Sequence, residues 1–179
     1  GVQKAIQMYE KLGFAPICRS LRLFGQIPPG THPEMVKMSA EDLPTIFAFD
    51  KQFFGDDRSF FLMKRWQNYP NLAWVWKQNQ QIKAYLFGRI GLGGLISVGP
   101  WINLSGSSDD LALLSHFQER IGNQPFSIGI LENRKTLIHA LVMAGLQPKS
   151  DPPTRMIFGD GANLGDNQFC YSIGSPAKG

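Results

Sequence analysis

A predicted strand, a loop of small polar residues and an amphipathic helix follow one another in residues 93–122, and no other stretch constrains the fold of the chain as tightly. The branched apolar residues at 95–98 predict a buried strand. Gly99 and Pro100 should disturb its regular pairing, because proline lacks a backbone donor. Beyond the loop at 103–108, apolar residues recur at helical spacing. Because a helix start leaves N–H groups unpaired and carries the positive end of the dipole, the segment is typical of an anion-binding site.

The composition restricts the classes of function. The chain has 179 residues, of which 43% are hydrophobic and 18% charged, as in folded globular proteins. Its net charge of +4 suits an anionic ligand, but no run of five basic residues occurs, which argues against a nucleic-acid partner. The two cysteines and three histidines lack the spacing of a disulfide framework or a metal site. Without a long apolar stretch or a signal peptide, we expect no membrane association and a cytoplasmic protein.

A short motif occurs twice. Residues 13–16, GFAP, are echoed by residues 145–148, GLQP, and each copy is preceded by a helical pattern and followed by a short strand that ends in Phe-Gly. The repeat predicts the end of a first unit at 1–25, a proline-rich linker at 26–33 and a second unit at 34–179. Two unrelated helix–glycine–strand turns would give the same pattern.

Hydrophobic periodicity predicts the other elements. In the first unit these are a helix ending at Gly13 and two short strands, at 14–17 and 21–24. In the second unit we expect strands at 35–38, 72–77, 82–90, 126–131, 156–158 and 169–173, with a hairpin turn at 78–81, and helices over about 43–54, 58–67 and 137–142.

Several of these motifs resemble those of the GNAT acetyltransferases. Residues 96–108, ISVGPWINLSGSS, are similar to the fourth strand and pyrophosphate loop of that family, and YEKLGF at 9–14 resembles the end of its last helix. The stretch DKQFFGDDR at 50–58, with Gly88-Arg89 and Gly99-Pro100-Trp101, resembles the C-terminal domain of tandem GNAT proteins. The resemblance implies an α+β fold, with a mixed, mostly antiparallel central sheet, helices on both faces, and fourth and fifth strands that splay apart.

In this family acetyl-CoA lies between the splayed strands, here the predicted strands at 95–101 and 126–131. An ordinary capped helix after a strand would show the same residue types, and Asn133 would equally serve as a helix N-cap. The resemblance implies nine cofactor-binding residues: Val98, Gly99, Asn103, Leu104, Ser105, Gly106, Ser107, Ser108 and Asn133. No metal is implied.

The acceptor amine, of a small molecule or a peptide, lies over the first two helices in this family. Asp50 is the candidate general base or amine-binding group, and Arg58 and Trp101 are candidates for shaping the substrate pocket. A purely structural Asp50–Arg58 pair is the alternative interpretation.

Two departures weaken the catalytic interpretation. Leu141 stands where many members have the tyrosine that protonates the leaving thiolate, and leucine has no proton to donate. Asp109 and Asp110 lie beside the predicted pyrophosphate site, where carboxylates would repel a diphosphate. The sequence therefore predicts acyl-CoA-dependent N-acyl transfer to an amine. The alternative is a degenerate, non-catalytic domain that binds a ligand or supports a catalytic partner. A weaker third option is a dimerisation module, and hence a possible homodimer, because the apolar segment before Gly25 would pack poorly alone.

Overall fold

The computed structural model describes residues 3–105, 110–149, 151–159 and 167–174. Within these ranges the helices are α1 Gln3–Lys11, α2 Leu43–Phe54, α3 Ser59–Asn68, α4 Asp110–Ile121 and α5 Lys135–Met143. The strands are β1 Phe14–Gly25, β2 Met35–Lys37, β3 Ala73–Gln78, β4 Gln81–Ile90, β5 Ile96–Asn103, β6 Phe126–Leu131, β7 Gln147–Pro148, β8 Thr154–Phe158 and β9 Cys170–Ser172.

The strands form one mixed sheet in the order β2-β3-β4-β5-β6-β1-β7, with β8 paired to β1 and β9 paired to β5. Only the β5–β6 pair is parallel among the pairings described, and the others are antiparallel. The predicted α+β architecture with a mostly antiparallel sheet is confirmed. None of the helices in the described part of the chain is long and apolar enough to cross a membrane.

Each face of the sheet has its own hydrophobic core, because successive side chains of a strand point to opposite faces. On β3, Trp74 and Trp76 belong to the core that contains Leu113 of α4 and Leu137 of α5. Their neighbours Ala73 and Val75 belong to a second core with Ile46 of α2 and Leu62 of α3. Helices therefore cover both faces, as predicted.

The strand β1 corrects one prediction. The two short strands expected at 14–17 and 21–24 are a single strand of twelve residues that changes partner along its length. Its first half pairs with β8 and its second half with β6. The register shifts between Pro16 and Cys18, which accommodates a proline that cannot donate to the ladder. The segment assigned to a first unit is thus hydrogen-bonded into the sheet of the second, and the boundary at residue 25 stays a prediction.

The two parallel strands separate after a short contact. Residues 96–98 of β5 pair with residues 126–128 of β6, and β5 then continues to Asn103 without β6. On its other side, β5 shifts register against β4 between Leu86 and Gly88, opposite Gly99 and Pro100, so the predicted disturbance of pairing is confirmed. We call the space beyond Val98, where β5 and β6 diverge, the fork.

Candidate active site

The fork is filled by the chain's own last described strand, β9. This strand pairs with the free side of β5, with Ser172 opposite Trp101. The ring of Tyr171 lies against Trp101, with 4.9 Å between the ring centroids. Gly99 has a φ of +126°, and a Cβ there would lie 2.5 Å from the Ser172 Oγ. Only glycine permits this approach of the two strands.

In the described part of the predicted pyrophosphate loop, polar groups are already hydrogen-bonded to other groups of the chain. The buried Asn103 donates to the Asp110 carboxylate at the start of α4, and its Oδ1 accepts from the Ser105 backbone N–H at 3.0 Å. The Leu104 backbone N–H donates to the Lys83 carbonyl at 2.8 Å. The predicted loop residues Gly106, Ser107 and Ser108, and Asp109 beside them, lie outside the described residues. The role of this loop in binding a cofactor therefore stays a prediction.

Tyr171 links the fork to the start of α4. Its hydroxyl is hydrogen-bonded to Asp110, and the guanidinium of Arg134 lies 4.6 Å from the centre of its ring. Burial, followed by the charge of Asp110, raises the pKa of Tyr171 to about 12. The tyrosine is therefore neutral near pH 7, and its hydroxyl donates the hydrogen bond to the Asp110 carboxylate.

Asp50 of α2 forms a buried network with residues of the neighbouring elements. Its carboxylate accepts from Arg58 Nε at 2.9 Å and from Arg58 Nη2 at 2.6 Å, and the Tyr85 hydroxyl donates to the same group. Arg58 also donates to the Ile173 carbonyl at 2.9 Å and stacks 3.5 Å from the centre of the Phe54 ring. The network thus ties α2 and α3 to the end of the chain segment in the fork.

The environment of this network fixes its charges. Burial alone would lower the pKa of Arg58, but its hydrogen bonds and attraction to Asp50 outweigh burial and raise it. Burial and the neighbouring Asp50 carboxylate raise the pKa of Tyr85 well above its ordinary value. The predicted Asp50–Arg58 contact is present as an ion pair, whereas a role of either residue toward a substrate stays a prediction.

The remaining predicted site residues are spread over three environments. Val98 is buried within β5, opposite Gly88 and Ile128. Trp101 is fully buried, so its ring lies in the core rather than on a substrate surface. Asn133 is exposed in the turn after β6, and the N-cap of α5 is the next residue, Arg134. The structure therefore brings Val98, Gly99 and Trp101 together at the fork and leaves Asn133 apart.

A polar cavity beside the fork was not predicted from the sequence. It has a volume of about 110 Å³ and opens on the sheet face that also carries α2 and α3. We call it the arginine pocket, and its lining includes Ser20, Arg22, Arg89, Ser97, Ser127 and Ser172. The signal available in the sequence was the alternation of polar with apolar residues in β1 and β6. Only their pairing in space makes that alternation a pocket.

The described residues contain no group of three or more His, Cys, Asp or Glu side chains arranged to hold a metal ion. Leu141, at the position of the family's tyrosine, is fully buried in the core beneath α5. No described side chain on α5 therefore replaces that tyrosine from the same position.

Comparison with known proteins identifies the family. A model of the acetyltransferase (GNAT) domain matches residues 46–172, more than two thirds of the chain. The chain belongs to the GNAT family. The resemblance seen in the sequence is thereby confirmed, whereas the assignment to the C-terminal half of a tandem protein stays a prediction. A comparison with curated proteins finds no match.

Solved structures share the fold. A putative acetyltransferase from Pyrococcus horikoshii superimposes with a TM-score of 0.72 at 17% identity, covering 100% of this chain and 58% of that one. A GCN5-related N-acetyltransferase from Sphaerobacter thermophilus gives a TM-score of 0.60 at 17% identity, covering 81% of this chain and 53% of that one. The chain thus spans little more than half the length of these proteins.

Proposed function

We propose that the chain carries out, or belongs to a protein that carries out, transfer of an acetyl group from acetyl-CoA to an amine. The separation of β5 from β6 after Val98 carries the proposal, since it creates a gap between strands in a family whose members hold the cofactor in such a gap. Val98 and Gly99 would face the thioester, and the loop from Asn103 to Ser108 would hold the diphosphate. Asn133 would contact the cofactor from the turn after β6.

The reaction defines what the site has to supply. The amine nitrogen attacks the thioester carbonyl carbon, so a C–N bond forms as the C–S bond breaks. The amine loses one proton and the departing thiolate gains one. Asp50 remains our candidate for binding the amine or taking its proton. In that role its carboxylate would first have to exchange the Arg58 hydrogen bonds for contacts with the substrate.

Acetyl-CoA can enter the fork only if β9 leaves it. Two backbone pairings with β5, the hydrogen bond from Arg58 to Ile173 and the contacts of the buried Tyr171 with Trp101, Asp110 and Arg134 hold β9 in place. At about 1 kcal/mol for a neutral hydrogen bond and up to about 3 kcal/mol for one to a charged group, displacing β9 has a free-energy cost that weakens the apparent affinity for acetyl-CoA.

The occupied fork also favours a second candidate function. With Tyr171 in the gap and its hydroxyl hydrogen-bonded to Asp110 at the start of α4, the chain itself fills the gap that an acyl arm would enter and sets a carboxylate beside the proposed diphosphate loop. In this alternative the domain does no chemistry, and it supports a catalytic partner domain or binds a different ligand. The predicted homodimer also stays a proposal.

Isothermal titration with acetyl-CoA separates the two candidates. We expect micromolar binding to the wild type, tighter binding to Tyr171→Ala, which empties the fork, and no binding to Gly106→Asp. Tyr9→Ala is the matched control, because Tyr9 lies partly exposed on α1. Release of free thiol with a panel of primary amines then reports transfer. No heat at millimolar acetyl-CoA with either the wild type or Tyr171→Ala would establish the non-catalytic alternative.

A further inference from the structure

The arginine pocket is built from small polar side chains on an otherwise apolar sheet. Arg89, Ser97 and Ser127 stand opposite one another in one row across β4, β5 and β6. In the second row, Gly129 stands opposite Arg22, and a Cβ at Gly129 would lie 2.7 Å from the Ser20 Oγ. Ser97, Ser127 and Gly129 have side chains too small to fill the space above the sheet, so a cavity remains there.

The other face of the same strands shows that this polarity is local. Phe126, Ile128 and Ile130 alternate with the pocket residues along β6 and are all buried in the core under α4 and α5. On the pocket face, the apolar core contributed by α2 and α3 reaches Tyr85 and Phe87 of β4. Beyond that core the sheet face carries serines and arginines, and it remains open.

The pocket has a surplus of positive charge. Among the described residues, the side chains of Arg22 and Arg89 make no ion pair, and the buried Arg89 Nε has no hydrogen-bond partner. The buried Ser172 Oγ, also on the lining, has none either. A buried donor without a partner costs free energy, so these atoms are complementary to an oxygen-rich ligand.

A third arginine adds to the same electrostatic potential. Arg65 of α3 is buried, and its Nη1 has no hydrogen-bond partner. Burial first, and then the positive charge of Arg89, lower the pKa of Arg65 to about 10. Arg65 does not line the pocket, but its charge and that of Arg89 repel each other, and an anion bound at Arg89 would relieve this repulsion.

We propose that the arginine pocket binds the anionic oxygen group, a carboxylate or a phosphate, of a small molecule. The cavity is several times larger than the space one water molecule needs, and guanidinium groups recognise both anions through charge-assisted hydrogen bonds. Val98 also lines the cavity. If the proposed acetyl transfer holds, the bound molecule is the acceptor, an amine that carries an acidic group. The anion site itself does not depend on that transfer.

Binding is tested without acetyl-CoA, so that its result is independent of catalysis. The probes are 4-aminobutyrate, inorganic phosphate and the uncharged-tail analogue n-butylamine, measured by isothermal titration at low salt. We expect saturable binding of 4-aminobutyrate, of phosphate or of both, and none of n-butylamine, which has no anionic group. Arg89→Gln and Arg22→Gln should each weaken it about tenfold, the effect of losing one charge-assisted hydrogen bond. The control Lys51→Gln removes the same charge from an exposed position on α2.

A second variant protects the test against misfolding of the arginine variants. Ser127→Asp places a carboxylate in the pocket beside both arginines and should abolish anion binding while the protein stays folded. Binding of 4-aminobutyrate alone would identify a carboxylate site, and binding of phosphate alone a phosphate site. No saturable binding at millimolar probe, or an equal loss in Lys51→Gln, would overturn the proposal. Anion binding without acetyl transfer would instead overturn only the proposed enzymatic function.

Discussion

Removing the Asp50 carboxylate tests whether the buried network is a structural tie. In Asp50→Ala, Arg58 keeps one hydrogen bond, to Ile173, and its stacking on Phe54, but loses two charge-assisted hydrogen bonds. Asp50 is 0% exposed and Arg58 7% exposed, so the guanidinium is left largely without solvent. Breaking such a pair from one side costs about 3–5 kcal/mol. We expect a loss of this size in the free energy of unfolding.

Urea unfolding followed by the fluorescence of the four tryptophans provides the assay. The double variant Asp50→Ala/Arg58→Met removes both charges and should be less destabilised than the sum of the single variants, by about 1–3 kcal/mol. Glu132→Ala is the control, because its ion pair with Arg19 is largely exposed and such pairs contribute about 1 kcal/mol or less. If Asp50→Ala costs no more than Glu132→Ala, the buried Asp50–Arg58 pair stabilises the fold no more than an exposed ion pair does.

Two further predictions concern pH and the fork. Burial and the charge of Arg120 hold the pKa of His116 below its ordinary value of 6.5, so the unfolded state binds more protons. The free energy of unfolding should therefore fall as the pH drops below about 6.5; urea curves at pH 7.5 and 5.5 measure this, and an unchanged slope in His116→Gln would contradict it. Gly99→Ala should push Ser172 away, which would be measured as faster hydrogen exchange in residues 170–174 than in the wild type. If the control Gly91→Ala accelerates exchange in these residues by the same amount, the close contact at Gly99 is not the cause.

Local chemistry explains what could be predicted of the fold. The turn at Asn79 and Gln80 joins two strands of alternating pattern, and both residues have the positive φ that suits such a hairpin. Ser39 and Asp42, three residues apart, form a capping interaction of the kind that sequence patterns indicate, with the Ser39 N–H donating to the Asp42 carboxylate at 2.9 Å. Each of these features is decided by residues within a few positions of one another, where sequence patterns carry the most information.

The parts that could not be predicted depend on distant residues. Nothing near Tyr171 indicates that its ring will lie on Trp101, seventy positions earlier, because several apolar side chains have the size to fill the fork. The arginine pocket combines Arg22, Arg89 and Ser127 from three strands, and it forms only because β1 pairs with β6. A sequence that places β1 in a separate unit gives no reason to bring Arg22 beside the other two.

The pairing of β1 has a consequence for synthesis on the ribosome. Gly25 pairs with Phe126, and Phe14 pairs with Phe158, so β1 emerges more than one hundred residues before either partner. At translation rates of about 5–20 residues per second, the strand waits roughly 5–20 s with its edges uncovered. Leu23, which ends fully buried, is accessible throughout that delay. Nascent chains of this protein should therefore recruit chaperones that recognise exposed apolar strands, and they should release them only once β6 has been made.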